Sequence, residues 1–124
     1  MTFLYSTINL TQLFAPMSTN YRLMYGIVLD LISWTNGEKS FSWSTVNNDV
    51  NTLWMEALGL TPPVEHALSP IFIELKNQIL TALRFTEGKI ALHIQDFRCV
   101  LLSIKRAMEI FAKEVGYELQ TSET

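Results

Sequence analysis

Apolar residues recur at alternating steps of four and three from Ile90 through Ile94, Phe97, Leu101, Ile104, Met108 and Phe111 to Val115. Steps averaging about 3.5 residues keep side chains on one side of an α-helix. The pattern therefore predicts a long amphipathic helix over roughly residues 89–115, stopped by Gly116. Coiled coils and antiparallel bundles share such a seam, because their helices cross at nearly the same angle. Leu92, Val100, Leu102 and Ala107 widen this apolar face beyond a two-position stripe. The extra width predicts a helix built into a bundle core rather than a free-standing zipper.

Upstream, punctuation divides the chain into further pieces. Ile8, Leu10, Leu13 and Phe14 suggest a short helix over residues 7–14, ended by Pro16. A second helix is expected to start at Ser18 or Thr19, both suitable N-caps, and to run to about Trp34, before Asn36-Gly37. In it Arg22, Gly26, Asp30 and Ser33 occupy one narrow stripe, and ten apolar residues fill the rest of the circumference. Such a helix is expected to be buried nearly all round, at the centre of the domain or sealed by a second chain. Asn36-Gly37 followed by the alternating Ser40 to Ser44 also matches a β-hairpin over residues 32–43. The helical pattern before it favours a left-handed helix stop and a loop.

Ser44 or a neighbour is expected to cap a third helix on the apolar positions Val46, Val50, Leu53 and Ala57, with Trp54 and Leu58 beside them. Gly59 stands where a left-handed stop belongs, and Thr61-Pro62-Pro63 blocks continuation. Residues 64–68 suggest one helical turn. Ser69-Pro70 then signals a fourth main helix through Leu75, Ile79, Ala82 and Leu83 to Gly88. The last helix follows at once, which makes an αα-hairpin. The expected fold is thus all-α. It is a bundle of about four main helices with one or two short ones, forming one domain over residues 1–124 whose tail, 117–124, frays.

Composition alters this picture in one respect. Charged residues make up 17% of the 124 and apolar residues 48%, against about 25% charged in an average globular domain. The shortfall predicts that a second subunit or a protein partner covers some apolar surface. It is also uneven: residues 1–62 hold six charged side chains and residues 63–124 hold fifteen, while nine of the fourteen aromatics lie in the first half. Trp and Tyr are favoured interface anchors. The expected partner-binding residues are therefore Tyr21, Tyr25, Gly26, Trp34, Phe41, Trp43 and Trp54.

Candidate chemistry is sparse. His66 stands alone, and His93 and Asp96 share one helix face, half of what a metal site needs. There is no His-Glu-x-x-His, no Cys-x-x-Cys and no nucleophile elbow, and the five glycines are scattered singly, so no phosphate loop is formed. No metal, cofactor or catalytic set is expected. Asp30 is the one acid in a mostly apolar setting, expected to be buried and partnered. Glu109 and Lys113 suggest a solvated helical pair. Nine basic residues against twelve acids, a net charge of −3, argue against nucleic acid, although Arg98, Lys105 and Arg106 lie close enough together to touch a phosphate.

The single cysteine, Cys99, is expected to be a small buried hydrophobe in a reducing cytosol. No run approaches the ~20 apolar residues of a membrane span. The charge-free N-terminal stretch lacks a basic start, and Ser6, Thr7, Asn9, Thr11 and Gln12 break it, so it does not read as a secretory leader. The expected function is a cytoplasmic, non-enzymatic protein-interaction module, homodimeric or bound to a larger protein as an adaptor, inhibitor or accessory subunit. A helical ligand-binding or enzymatic bundle is the alternative, and a nucleic-acid accessory protein the third.

Overall fold

The structure, a computed structural model, describes residues 20–88, 93–117 and 119. Among these residues it is all-α, with four α-helices and no strand. They are α1 (20–35), α2 (Trp43–Leu58), α3 (Pro70–Thr86) and α4 (Ile94–Glu114), with a 3-10 turn at Val64–His66 between α2 and α3. The short helix expected over residues 7–14, the caps at Ser18 and Thr19, and the seam residues Ile90 and Leu92 lie outside the described residues.

Helical periodicity places the core in α2, α3 and α4. Val46, Val50, Leu53 and Ala57 are all buried, and so are Leu75, Ile79, Ala82 and Leu83. Of the α4 seam, Phe97, Leu101, Ile104, Met108 and Phe111 are fully enclosed and Ile94 faces outward; Leu102, expected to widen the apolar face, is exposed. α3 packs against both α2 and α4. Phe72 near the start of α3 meets Phe111 near the end of α4 at 4.9 Å between ring centroids, while Phe85 meets Phe97 at 5.8 Å. The two helices are therefore antiparallel, as a hairpin requires.

The ends of the helices follow local chemistry, with some departures from expectation. Ser42, rather than Ser44, caps α2; its Oγ accepts from the Thr45 N–H at 3.1 Å. Gly59 does not adopt a left-handed conformation (φ −86°). Its N–H bonds back to the Met55 and Glu56 carbonyls, and Pro62 and Pro63 turn the chain away instead. Pro70 opens α3 as expected, but the Ser69 side chain makes no capping bond and its Oγ is buried without a partner. At Asn36-Gly37 the chain makes a helix stop and no hairpin. Gly37 has φ +79°, and the N–H groups of Glu38 and Lys39 return to the Ser33 carbonyl.

α1 corrects the sequence reading most. Tyr21, Met24, Tyr25, Val28, Leu31 and Thr35 are buried along one face, but Leu23 and Leu29 are exposed. The helix is therefore not central within this chain: it lies on the outside of the bundle and docks through that face, and only a second chain could enclose its outer side. Tyr21 donates its hydroxyl to the Met108 carbonyl at 2.8 Å, and Tyr25 bonds Glu109 on the same helix. Of the tail expected to fray over residues 117–124, only 117 and 119 are described. Tyr117 packs edge-on against Tyr21 at 6.4 Å, and Leu119 is buried. Residues 118 and 120–124 lie outside the described residues.

Candidate functional site

The residues expected to meet a partner fall into three different settings. Tyr21 and Tyr25 point inward and join α1 to α4, so neither offers its ring to the surface. Burial pushes the Tyr21 hydroxyl far above the usual tyrosine range. Gly26 is exposed on the outer side of α1, with open space where a Cβ would stand. Trp34, Trp43 and Phe41 lie where α1 hands over to α2. Trp34 touches Trp43 at 6.4 Å and stands edge-on to Phe97 at 6.3 Å. Trp43 is 44% exposed, whereas Trp34 and Phe41 are half-buried.

Trp54 belongs to another place. It lies three helical turns further along α2 and lines a groove of about 360 Å³ between α2 and α3. Leu58 joins it from α2; Phe72, Ile73, Lys76 and Leu80 line the groove from α3. Lys76 is the one charged residue in this lining, and its ammonium lies 5.5 Å from the centre of the Phe72 ring. A cation over an aromatic face is held there by the ring's quadrupole.

Beside the groove the chain exposes more apolar surface than folding alone requires. Val64 and Leu68 are 83% and 84% exposed, and Met55 is 66% exposed. The reason is local. Pro63 is buried and His66 lies 3.5 Å from Glu114, so the connection is pinned on its inner side and turns Val64 and Leu68 outward. Fully burying such a side chain is worth about 1.5–3 kcal/mol, which this fold leaves unrealised. Sequence reasoning missed both residues, because a 3-10 turn bounded by prolines has no helical period to mark an exposed face. The remaining signal was modest: two apolar residues in a segment where a connection is normally polar.

Several titratable groups are engaged in structural contacts. Asp30 is half-exposed rather than buried, but it is partnered: its carboxylate accepts from the Lys39 ammonium at 2.5 Å. Arg22 lies over the Tyr117 ring and bonds its hydroxyl. The Asp49 carboxyl is held above its ordinary range by partial burial and by the nearby charge of Asp30. His93 is the N-cap of α4, preceding the helix that was expected to carry it beside Asp96. Cys99 is exposed, not buried. The three basic residues do not converge: Arg98 bonds Thr35 and Gln95, Lys105 bonds Glu109 at 2.9 Å, and Arg106 faces outward. Among the described residues, no three His, Cys, Asp or Glu side chains are grouped to hold a metal ion.

Glu109 pairs with Lys105 and Tyr25 rather than with Lys113. Partial burial alone would raise its pKa, but the Tyr25 hydroxyl and the Lys105 ammonium outweigh it and hold the carboxyl below its usual range. A carboxylate depressed in the fold stabilises it above the unfolded value, about 4.3, and that contribution is lost as pH falls through the folded value. Tyr25→Phe is expected to cost about 1 kcal/mol at pH 7, the partly exposed site discounting a charge-assisted bond. The cost should narrow near pH 3. Urea titrations at both pH values measure it, and an unchanged cost would remove the ionic part of the contact.

The fold and this surface define a small four-helix bundle with an apolar groove and an apolar rim between α2 and α3. No family model, curated protein or solved structure matches the chain. Among the described residues, no helix is long and apolar enough to cross a membrane.

Proposed function

We propose that the protein is a non-enzymatic protein-interaction module that binds through the α2–α3 end of the bundle. One observation carries this: Leu58 and Ile73 line the groove at 52% and 46% exposure, and Met55, Val64 and Leu68, 66–84% exposed, belong to the same end of α2 and to the connection that carries the lining residue Ala67. Scattered exposed leucines need no explanation, but a contiguous apolar patch beside a concave surface is how protein interfaces present themselves. Trp54 in the groove supplies the kind of anchor that concentrates binding energy. Trp43, at the opposite end of α2, is a separate apolar feature. An exposed Cys99 is compatible with the reducing cytosol in which such a module would work.

The test is Leu68→Glu. Leu68 is 84% exposed, so its loss should change the unfolding free energy by less than about 0.5 kcal/mol. The same substitution places a charge in the apolar rim and should abolish association, whether with itself in light scattering or with a protein captured from native lysate. If Leu68→Glu alters neither, the α2–α3 end is not the binding surface.

A further inference from the structure

Building on that interaction role, we infer that the groove's occupant is a second copy of this chain, bound reciprocally about a two-fold axis. The face carries both halves of a self-complementary contact. Val64 and Leu68 project from the connection between α2 and α3, and the groove floored by Trp54 and Leu80 opens beside them. Under a two-fold rotation each copy's projection enters the other copy's groove, and every contact is made twice.

Charge supports this occupant over others. The projecting turn carries an acid, Glu65, and the groove carries Lys76. Neither makes an ion pair within its own chain among the described residues. In the two-fold arrangement, Glu65 of one copy faces Lys76 of the other on both sides of the axis. The reciprocal pairing therefore closes as a dimer and does not propagate.

Sedimentation equilibrium of the full chain at low salt tests the pairing. The wild type should dimerise, and Lys76→Glu or Glu65→Lys alone should each weaken dimerisation about tenfold or more, since like charges then meet twice. An equimolar mixture of the two variants should recover wild-type affinity, because both ion pairs form again with their signs arranged between the chains. Thermal melts confirm that each variant is folded, and Leu68→Glu should be monomeric. A dimer that ignores both charge reversals, or a mixture that shows no recovery, overturns the reciprocal pairing. A monomer at every concentration also overturns it. In that case a captured protein that Leu68→Glu releases would leave the interaction role standing, and no such protein would remove both.

Discussion

Phe97→Ala is expected to lower the unfolding free energy by about 3–5 kcal/mol, the range for deleting an enclosed aromatic side chain. Phe97 is fully buried in the first turn of α4, edge-on to Trp34 of α1 and to Phe85 of α3. Three helices therefore converge on one ring. The flanking side chains are large and anchored in their own helices, so collapse into the space would be partial and a cavity would remain. Small domains are stable by roughly 5–15 kcal/mol, which puts this variant close to the limit of folding. Urea unfolding followed by circular dichroism measures the loss. Leu102→Ala on the exposed side of the same helix is the control and should cost below about 1 kcal/mol. Equal costs at the two positions would mean that α4 packs through a different face.

That pair of outcomes also marks what sequence could convey. The buried faces of α2, α3 and α4 were legible because apolar positions kept helical spacing and polar residues filled the opposite side. Val46, Val50, Leu53 and Ala57 were placed inside on spacing alone, and they are inside. α1 lacked that contrast. Where apolar residues surround a helix, periodicity does not say which are covered, and only docking against α4 separates Tyr21 and Met24 from Leu23 and Leu29. Partners distant in sequence were equally invisible. The contacts Tyr21–Met108, Tyr25–Glu109 and Arg98–Thr35 join residues 63 to 87 positions apart, and no local pattern encodes them.

The candidate surface was legible only in part. Aromatic crowding directed attention to the first half of the chain, and Trp54 does line the groove. Yet tyrosines with a hydroxyl to satisfy were used inside, where Met108 and Glu109 meet them. The exposed rim is instead aliphatic and begins in the proline-rich connection. Composition raised the expectation of apolar surface for a partner to cover, but the place of the exposed rim depends on how Pro63 and His66 fix one turn.

Arg98 shows how a residue that suggested phosphate binding acts within the fold, and its removal is the second large effect expected. At the C-terminus of α1 the carbonyls of Ile32, Ser33 and Trp34 receive the N–H groups of Asn36, Glu38 and Gly37. The Thr35 carbonyl receives the Arg98 guanidinium, whose Nε also donates to Thr35 Oγ1 at 3.1 Å. A cation at this end also complements the helix dipole. Thr35 is only 7% exposed, so losing Arg98 strands a buried carbonyl. Arg98→Ala should therefore cost about 2 kcal/mol, within the range for hydrogen bonds to charged groups. Arg98→Lys should recover less than half, because one ammonium does not reproduce the planar fork. A double-mutant cycle with Thr35→Val isolates the side-chain bond: a coupling of about 0.5–1 kcal/mol is expected between groups in direct contact. Strict additivity would show that the bond to Thr35 Oγ1 contributes nothing, and that Arg98 acts through the Thr35 carbonyl and Gln95 alone.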